Sequence, residues 1–446
     1  MPQPQLKLYN KEQYIYDDEP FSVTDHSKVS AAEDYDGKRV IVKTSIDVID
    51  AFNEIYVYSK FSHPNIVTCH DMYMDIESGS FKIVMEYGYP LMEFDRERWD
   101  AYLVITGIIE ALAFLQNNGV IHNDIKIDNM VMAGGVPKLI DFGLIYKEGY
   151  SRIPNVYQTY LDPVTTRDGP SYTTEKERHD SMIRAAMWAL GLAIVDIVNG
   201  TKGGHRSNVM PLNDGVPVLF LQIEKDPKYM VRKVLLPHNP ELWAVTEKLF
   251  SSDNGYKRFS DIIETKSTEG IVYSPAPTSY TKKDFQGDRL SSDMITPYMG
   301  YIITVMTKSN LSYPTPSVNL ALDYYSRIRK ESRADTIVLK DGTSIVPNSV
   351  LQSLMCVFLA DCVYDKYTTN IFLDDYLIIA DADPEIYMKT AIYYLYNIIK
   401  DLNGDLYIDI PPKEYEQRVV QLYQEGITYD SYVDRMYSIK DARENF

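Results

Sequence analysis

The sequence HNDIKIDN, residues 122–129, is followed twelve residues later by DFG, residues 141–143. These two stretches place several chemically active side chains at short, regular spacing. Asp124 carries a carboxylate that can accept a proton from a hydroxyl group, and Lys126 supplies a positive charge two residues further on.

Two more side chains in these stretches are suited to a metal ion. The amide oxygen of Asn129 and the carboxylate of Asp141 are oxygen ligands of the kind that Mg²⁺ prefers. Short apolar runs at residues 130–131 and 139–140 predict that these groups stand in adjacent loops at the mouth of one cleft. Phosphoryl transfer requires an oriented hydroxyl, neutralised phosphate charge and fixed metal ions, so the sequence predicts a phosphotransfer site.

In this order and spacing, the two stretches resemble the catalytic loop and the metal-binding loop of the protein kinase family. Acidic surface loops would also contain carboxylates, but they do not explain the full combination of H-x-D-x-K-x-x-N with DFG. The lysine two residues after Asp124 resembles the residue at this position in the serine/threonine branch of the family rather than that in the tyrosine branch. The resemblance implies an α+β, bilobal fold over residues 13–270, with a small β-rich lobe, a helical lobe, and ATP and Mg²⁺ as cofactors.

A second pair of charges lies nearer the N-terminus. Lys43 closes the apolar run VIVK, as does the family's lysine that contacts the α- and β-phosphates. Glu54 follows eleven residues later in a helix predicted over residues 46–61, and HPNIV at residues 63–67 resembles the loop behind the family's regulatory helix. Each charge alone would be interpreted as a solvated surface group. Their order implies an ion pair between Lys43 and Glu54.

The predicted nucleotide site has one regular part and one altered part. IVMEYG, residues 83–88, resembles the strand and hinge that grip adenine through backbone hydrogen bonds. The residues assigned to adenine binding in this segment are Glu86, Tyr87 and Gly88, with Met85 at the back of the pocket.

The altered part is the loop that covers the nucleotide, which in this family is rich in glycine. Aligned on Val29, the corresponding positions here are Ser22, Thr24 and Ser27. These residues lack the freedom of glycine to take positive φ and to approach phosphate closely. Weak or unusual nucleotide binding is expected, and a pseudokinase scaffold that binds partners without catalysis is the alternative.

Asn123 stands where many regulated kinases carry an arginine that binds a phosphate on the activation segment. We therefore expect activity that does not depend on phosphorylation between Gly143 and Glu175. The end of that segment has two candidates, Thr159–Pro163 and Glu175. Val164 stands in place of the family's usual glutamate, and Ala186 in place of its usual aspartate. Asp253 and Arg258 resemble the family's late-domain aspartate and arginine, with one extra residue between them.

The second half of the chain is predicted to be a separate, all-α domain over residues 291–446, joined by a linker rich in Ser, Thr, Pro and Lys over residues 264–290. The segment Ser349–Ala360 is apolar nearly all round, which indicates a buried central helix. Five helices are expected, over residues 291–310, 316–330, 347–366, 370–380 and 383–402.

An unspecialised helical bundle explains this region, but parts of it resemble a cyclin box. The residues that carry the resemblance are 320–328, similar to a cyclin's second helix, and 358–370 and 402–408, similar to the cyclin Y and phosphate-pathway group. The resemblance implies a cyclin-like activator fused to a cyclin-dependent-kinase-like domain, which would turn Glu54 toward Lys43 in cis. A cyclin-like adaptor without transfer activity is a further alternative. Such a fusion would suit a protein of a large virus.

Composition narrows the partners. The formal net charge is −18, which disfavours nucleic acid and anionic membrane surfaces and suits basic protein substrates, although acidity also serves solubility alone. Three cysteines, the absence of a signal-peptide core and the absence of an unbroken apolar run of about 18 residues predict a cytosolic or nuclear protein in a reducing compartment.

Overall fold

The protein is described from a computed structural model. The structure describes residues 4–9, 14–24, 26–91, 93, 100–147, 175–199, 212–213, 216–217, 240–251, 255–263, 271–272, 320–321, 324–325, 327–328, 336–339, 342–345, 349–365, 373–379 and 382–402.

The strands in these residues are β1 (Leu6–Tyr9), β2 (Ile15–Tyr16), β3 (Ser22–Val23), β4 (Ser27–Glu33), β5 (Arg39–Ser45), β6 (Phe61–Ser62), β7 (Cys69–Asp75), β8 (Phe81–Glu86), β9 (Tyr89–Pro90), β10 (Val120–Ile121), β11 (Met130–Ala133), β12 (Val136–Leu139), β13 (Tyr146–Lys147), β14 (Leu212–Asn213), β15 (Val216–Pro217), β16 (Ile271–Val272), β17 (Ile337–Val338) and β18 (Ser344–Ile345). The α-helices are α1 (Val48–Lys60), α2 (Ala101–Asn117), α3 (Glu175–Asn199), α4 (Pro240–Leu249), α5 (Ser349–Asp365), α6 (Leu373–Ile379) and α7 (Pro384–Asp401).

The N-terminal part forms one seven-stranded sheet in the order β1-β7-β8-β5-β4-β2, with β3 also paired to β4. All pairings are antiparallel except that of β1 with β7, which is parallel. β5 lies inside the sheet between β4 and β8, so Lys43 projects from a strand that is fixed on both edges. This sheet and the helices that follow it agree with the predicted bilobal kinase fold.

Helix α1 packs beside this sheet and agrees with the helix predicted over residues 46–61. Asp47 caps its start, because the carboxylate accepts the backbone N–H groups of Ile49 and Asp50, both at 3.0 Å. Lys60 in the last turn complements the helix dipole. Most of the helix surface is buried, including the polar side chains of Asn53 and Glu54. A helix buried on most sides is held by several parts of the protein at once.

The second lobe is built around α2 and α3, with the catalytic stretches on the β10–β13 and β11–β12 pairs. Gly119 lets the chain turn after α2, since its φ of 73° is unfavourable for other residues. Among the described residues, His179–Val198 of α3 is the one stretch with the length and hydropathy of a membrane span, and most of it is buried inside the protein, as in a core helix.

Two local features differ from the expectations. Ile271–Val272, within the predicted linker, forms β16 and pairs with β6 directly after α1. Two β-branched residues in sequence favour an extended conformation, and they meet the strand edge that β6 leaves open. The short hairpin β17–β18 also interrupts the region predicted as all-α. The predicted helix 291–310 lies outside the described residues.

Helices α5, α6 and α7 pack together, and their buried residues belong to the same continuous hydrophobic core as α1, α2 and α3. α5 contacts α1, and α7 contacts β1. The third expected helix is α5, which is buried along its length from Leu351 to Ala360. The helical region is therefore packed on the N-terminal lobe, along the same side as α1.

Strand β1 lies between that lobe and α7. Leu6 and Leu8 pack against the large core shared with the helices, whereas Tyr9 packs against the small core on the other side of the sheet. Lys7 pairs with Asp71 of β7 at 2.7 Å. The hydroxyl of Tyr396 on α7 donates to the carbonyl of Leu6 at 3.4 Å.

A second contact between α7 and the lobe is made by the turn that joins β7 to β8. Lys389 pairs with Glu77 at 2.6 Å, with both side chains about half exposed. A Cβ added at Gly79 in this turn would meet Ile392 of α7 at 3.3 Å, so the two segments are in direct contact. Gly79 also has a φ of 69°, which only glycine adopts readily in such a turn.

Candidate active site

The catalytic stretch lies between β10 and β11 and is closed by its own hydrogen bonds. The carboxylate of Asp124 accepts a hydrogen bond from Lys126 at 2.7 Å and another from the side-chain amide of Asn129 at 2.7 Å. The same amide donates to the carbonyl of Asp124 at 2.8 Å. The three side chains therefore hold one another in a single orientation, with Asp124 at the centre.

The metal-binding stretch lies beside it. The backbone N–H of Ile140 donates to the carbonyl of Asn129 at 3.1 Å, and His122 contacts the carbonyl of Ile140 at 3.1 Å through its ring nitrogen. These bonds bring Asp141 next to the loop that carries Asp124. The two stretches thus form adjacent loops, as the sequence predicts.

Both loops contain a residue in the left-handed region of backbone conformation. In the described residues, Asn123 with a φ of 58° and Asp141 with a φ of 64° are the non-glycine residues with positive φ. Such conformations are costly for residues with a side chain, and they persist where the surroundings hold the residue in place. Asn tolerates this conformation better than arginine would, which gives Asn123 a local role that the sequence did not indicate.

Lys43 connects the two lobes of the site. Its ammonium donates to Glu54 of α1 at 2.5 Å and to Asp141 at 2.7 Å. Glu54 is 1% exposed, so this pair is shielded from solvent. The predicted ion pair is present, and it extends to the metal-binding loop.

The burial of this group shifts its protonation equilibria. Burial raises the pKa of Glu54 to about 7, although the charge of Lys43 acts in the opposite direction. Burial opposes the charge on Lys43, but the carboxylates of Glu54 and Asp141 outweigh it and raise the pKa of Lys43 above its usual range. Burial would also raise the pKa of Asp141, yet the neighbouring Lys43 outweighs this effect and holds that pKa below its usual value. Asp141 is thus kept ionised, as a metal ligand must be.

Aromatic rings join α1 to both loops. Tyr58 of α1 meets the ring of Phe142 edge to face at a centroid distance of 5.4 Å, and Phe142 meets His122 at 5.1 Å. Phe142 and His122 are fully buried, and burial lowers the pKa of His122, which keeps the ring neutral. The position of α1 therefore affects the packing of the catalytic and metal-binding stretches.

The donor set fits a magnesium ion that is shared with a nucleotide. The nitrogen of the Asn129 amide is used on Asp124, which leaves its oxygen for a cation. Asp141 presents a partly exposed, ionised carboxylate nearby. In the described part of the chain no group of three or more His, Cys, Asp or Glu side chains could hold a metal ion by itself. A pair of oxygen ligands supplemented by phosphate oxygens is how Mg²⁺ is commonly bound.

The segment predicted to bind adenine is fixed by Glu86. Its backbone N–H donates to Thr68 at 2.9 Å, while its carboxylate accepts the N–H of Thr68 at 2.6 Å and the ammonium of Lys138 at 2.8 Å. Burial would raise the pKa of Glu86, but these bonds outweigh it and lower that pKa. The Glu86 side chain and N–H are therefore bonded within the protein, so they are not the groups of this segment that would meet adenine.

Tyr87 and Gly88, the next two residues of this segment, are positioned by packing contacts. Tyr87 lies over the guanidinium of Arg39 at 5.3 Å and beside the ring of Tyr89 at 5.2 Å. A Cβ at Gly88 would lie 3.0 Å from a methyl carbon of Val131, so a side chain there would press on Val131. Met85, the residue expected at the back of the pocket, is buried and receives the hydroxyl of Tyr58 on its sulfur at 3.4 Å.

The loop predicted to cover phosphate is a closed hairpin turn between β3 and β4. The hydroxyl of Thr24 accepts the backbone N–H groups of His26 at 3.3 Å and of Ser27 at 3.0 Å. Ser22 is paired across the hairpin with Val29. The N–H groups of His26 and Ser27 are therefore bonded within the turn rather than presented to a ligand.

Some functional residues were missed. Asn53 donates to the carbonyl of Gly143 at 2.6 Å, and Lys138 holds Glu86. Tyr58 lies four residues after Glu54, a helical spacing that could have placed it on the same face. The other two had no comparable signal, because a buried amide and a strand lysine both look ordinary in sequence.

The structure describes only some of the remaining expected positions. The described residues do not include 148–174, the segment that contains Thr159–Pro163 and Val164. They do not include Asp253 either. Arg258 is 68% exposed and pairs locally with Asp261 at 3.7 Å. Ala186 is buried in α3.

The comparisons with known proteins concern the same part of the chain. The protein kinase domain family matches residues 23–254, which is more than half of the sequence. The NUAK family SNF1-like kinase 2 of Rattus norvegicus is 28% identical over 218 residues, covering 43% of this chain and 32% of the relative. The serine/threonine-protein kinase PAK 5 of Rattus norvegicus is 28% identical over 186 residues, covering 38% and 24%.

A further relative is the cyclin-dependent kinase F-3 of Oryza sativa subsp. japonica, 29% identical over 155 residues, which cover 33% of this chain and 34% of the relative. The chain thus spans about a third or less of the length of these relatives. The matched residues contain both lobes and every predicted site residue except Ser22. The chain belongs to the protein kinase family.

Proposed function

We propose that this chain is an active serine/threonine protein kinase that transfers the γ-phosphate of ATP to hydroxyl groups of protein substrates. The observation that carries the proposal is Lys43, which lies between Glu54 at 2.5 Å and Asp141 at 2.7 Å. A lysine in this position joins α1, the sheet and the metal-binding loop in one arrangement. Relatives named as serine/threonine kinases support the choice of hydroxyl substrate.

The residues of the site divide the work of the transfer among them. Asp124 accepts the proton of the substrate hydroxyl, and Lys126, 2.7 Å away, offsets negative charge at the same place. Lys43 binds phosphate oxygens, and Asn129 and Asp141 hold Mg²⁺. The bound nucleotide supplies the phosphoryl group, and the metal ion neutralises its charge. Asn129 also keeps Asp124 oriented through its amide nitrogen.

The test is transfer from labelled ATP to a basic protein substrate. The native chain is compared with Asp124→Ala and Asp141→Asn, and the labelled residues are identified by phosphoamino-acid analysis. We expect label on serine or threonine with the native chain and a loss of at least about a hundred-fold with either variant. Transfer that survives both substitutions would overturn the assignment.

The helical region supports a second element of the proposal, activation in cis by a cyclin-like domain. α5 contacts α1, the helix that carries Glu54, and α7 contacts the lobe through β1 and the β7–β8 turn. A covalently attached activator acts at an effective concentration on the order of millimolar. In this proposal the helices hold α1 in the position where Glu54 meets Lys43.

This element is tested by inserting a protease site between residues 275 and 290 of the full chain. Cleavage there should leave the two parts associated and the transfer rate unchanged, and subsequent removal of the C-terminal part should reduce the rate strongly. A chain ended near residue 275 that transfers phosphate as fast as the full chain would exclude activation in cis while leaving kinase activity intact.

One observation favours a second candidate, a pseudokinase scaffold. The N–H groups of His26 and Ser27 in the nucleotide loop are bonded to Thr24, so these two donors are not offered to phosphate as they would be in a glycine-rich loop. Thermal unfolding with ATP and MgCl₂ separates the two candidates. Stabilisation by both together, which is lost in Asp141→Asn, favours the enzyme; no stabilisation favours the scaffold.

The proposal also covers regulation by phosphorylation and the cellular compartment. Asn123 replaces the arginine that would bind an activating phosphate, so the rate does not require phosphorylation of residues 144–174. Phosphatase treatment that abolishes transfer would contradict this. The net charge of −18 suits basic protein substrates in the cytosol or nucleus.

A further inference from the structure

The metal-binding loop receives a hydrogen bond from α1 that is separate from the Lys43 ion pairs. The side-chain amide of Asn53 donates to the backbone carbonyl of Gly143 at 2.6 Å. Asn53 is 5% exposed, so water does not compete for this bond. The two residues are 90 positions apart, and the bond therefore joins separate parts of the chain.

The packing around this bond brings the backbone of the loop against the helix. A Cβ added at Gly143 would lie 3.1 Å from the Cβ of Asp50 on α1. Asp50 and Asn53 are one helical turn apart, so both face the loop from the same side of α1. The absence of a side chain at Gly143 allows the helix to approach closely enough for Asn53 to reach the carbonyl.

The loop needs support from outside because Asp141 is strained. Its φ of 64° lies in the left-handed region, which a residue with a side chain leaves unless its surroundings hold it. Lys43 holds the carboxylate of Asp141, and the ring of Phe142 is held by Tyr58. Asn53 holds the main chain two residues after Asp141, which neither of the other contacts does.

We infer that Asn53 is a positioning residue for the metal ligand Asp141, acting through the carbonyl of Gly143. Through this bond, a shift of α1 changes the position of the metal-binding loop independently of the Glu54–Lys43 ion pair. Without the donor, the Gly143 carbonyl is left buried and unsatisfied. The free energy of the protein then falls if the loop moves away from α1 and the carbonyl reaches another donor. Asp141 then spends less time in the orientation that binds Mg²⁺.

The inference rests on the proposed use of Mg²⁺ and ATP at this site, and its test uses the full chain with the substitution Asn53→Leu. Leucine keeps the branching and the number of side-chain heavy atoms of asparagine and removes the donor. The matched control is Asn65→Leu, because Asn65 is also buried and its amide also donates to a backbone carbonyl, that of Pro137, at 2.8 Å. Both variants lose one bond of the same kind, but only one of these bonds ends at the metal-binding loop.

Two measurements are made on each protein. The first is the MgCl₂ concentration that gives half of the thermal stabilisation by a non-hydrolysable ATP analogue, and the second is the MgCl₂ dependence of phosphate transfer. Asn53→Leu should raise both concentrations about ten-fold, the effect of about one buried hydrogen bond, and leave binding of the analogue without Mg²⁺ unchanged. Asn65→Leu should lower the unfolding temperature to a similar degree and leave the Mg²⁺ dependence as in the native chain.

The outcomes separate this inference from the proposed function. A Mg²⁺ dependence that shifts equally in both variants, or in neither, would overturn the role of Asn53 while native transfer activity stands. If the native chain transfers no phosphate, the binding measurement still decides, since a shift confined to Asn53→Leu supports the role of Asn53 in a non-catalytic protein. No Mg²⁺-dependent binding by the native chain would overturn both.

Discussion

The ammonium of Lys138 donates to the carboxylate of Glu86 at 2.8 Å, and this bond joins the strand that leads into the metal-binding loop to the strand that ends at the adenine segment. Both side chains are largely buried, with 10% and 22% exposure. The bond therefore fixes β12 and the segment predicted to bind adenine relative to each other.

Lys138→Met is expected to lower stability by about 2 kcal/mol, because the carboxylate of Glu86 loses its charged donor while remaining partly buried. Thermal and urea-induced unfolding of the full chain measure the loss. The control is the double variant Glu86→Gln/Lys138→Met, which has no uncompensated charge and should regain part of the stability. Equal effects of Lys138→Met in the native and the Glu86→Gln backgrounds would show that the two residues are not coupled.

His63 provides a prediction on acid stability. Burial lowers its pKa to about 4, with the charge of Lys138 adding to the effect, and its ring stacks on Phe114 at 5.1 Å. A histidine in an unfolded chain has a pKa of about 6.5. Because the folded pKa is the lower one, the unfolded state binds protons more readily, and stability present above about pH 6.5 is lost as the pH falls toward 4.

The loss due to this residue at about pH 5 amounts to about 2 kcal/mol. His63→Asn removes the titration and keeps an acceptor for the N–H of Asn65, which now bonds to the ring at 3.1 Å. The variant should therefore lose less stability than the native chain between about pH 7.5 and about pH 5. Parallel unfolding midpoints across that range would contradict the assignment.

Thr24 offers a gain-of-function prediction. Replacing it with glycine removes the hydroxyl that binds the N–H groups of His26 and Ser27, and frees them for phosphate. Thr24→Gly should tighten ATP binding about three- to ten-fold, the effect of about one hydrogen bond. Calorimetric titration with ATP and MgCl₂ measures this. Ser22→Gly is the control, since Ser22 lies in the paired strand rather than the turn, and an equal gain there would contradict the role of Thr24.

Lys43 is recognisable from its local sequence, whereas the role of Asn53 is not. Lys43, Asp124, Asn129 and Asp141 are recognisable because each stands in a short segment whose local order is characteristic of the chemistry. The bond from Asn53 to Gly143 depends on where a helix packs against a loop 90 residues later, and nothing local in the sequence encodes that approach. The same limit explains why Lys138 was overlooked.

Two short strands form where the pairing comes from a distant partner rather than from a local sequence pattern. LKLY, residues 6–9, carries no turn signal and becomes a strand by parallel pairing with β7, some sixty residues away. The polar neighbours of Ile271–Val272 predict a linker, yet the two residues pair with β6. In both segments tertiary contacts decide the conformation, as β-propensity alone is weak.

The contact between α7 and the N-terminal lobe can be tested through β1. Leu6 packs on the core shared with the helices, and its carbonyl receives the hydroxyl of Tyr396. Leu6→Asp places a charge in this contact and should lower the hydrogen-exchange protection of α7 amides at least about ten-fold, with slower phosphate transfer if the helices activate in cis. Tyr9→Phe, on the opposite face of the same strand, is the control. Unchanged protection of α7 would show that β1 does not hold it.

Asn123 combines two features that bear on stability. Its φ of 58° is strained for a residue with a side chain, and both polar atoms of its buried carboxamide lack a hydrogen-bond partner among the described residues. Glycine adopts this conformation without strain and removes the buried polar group. Its own cost is the larger entropy of the unfolded chain, about 0.5–1 kcal/mol, against a gain of about 1–3 kcal/mol from the polar group.

Asn123→Gly should therefore raise the stability of the chain by about 1 kcal/mol, which thermal unfolding measures. Asn123→Leu serves as the comparison, because it removes the same polar group but keeps a side chain at positive φ, and it should be less stable than the glycine variant. A fall in the unfolding temperature with glycine would mean that the carboxamide has a partner that supports the catalytic loop. Because Asp124 follows directly, such a partner would also have to be counted among the groups that orient the base.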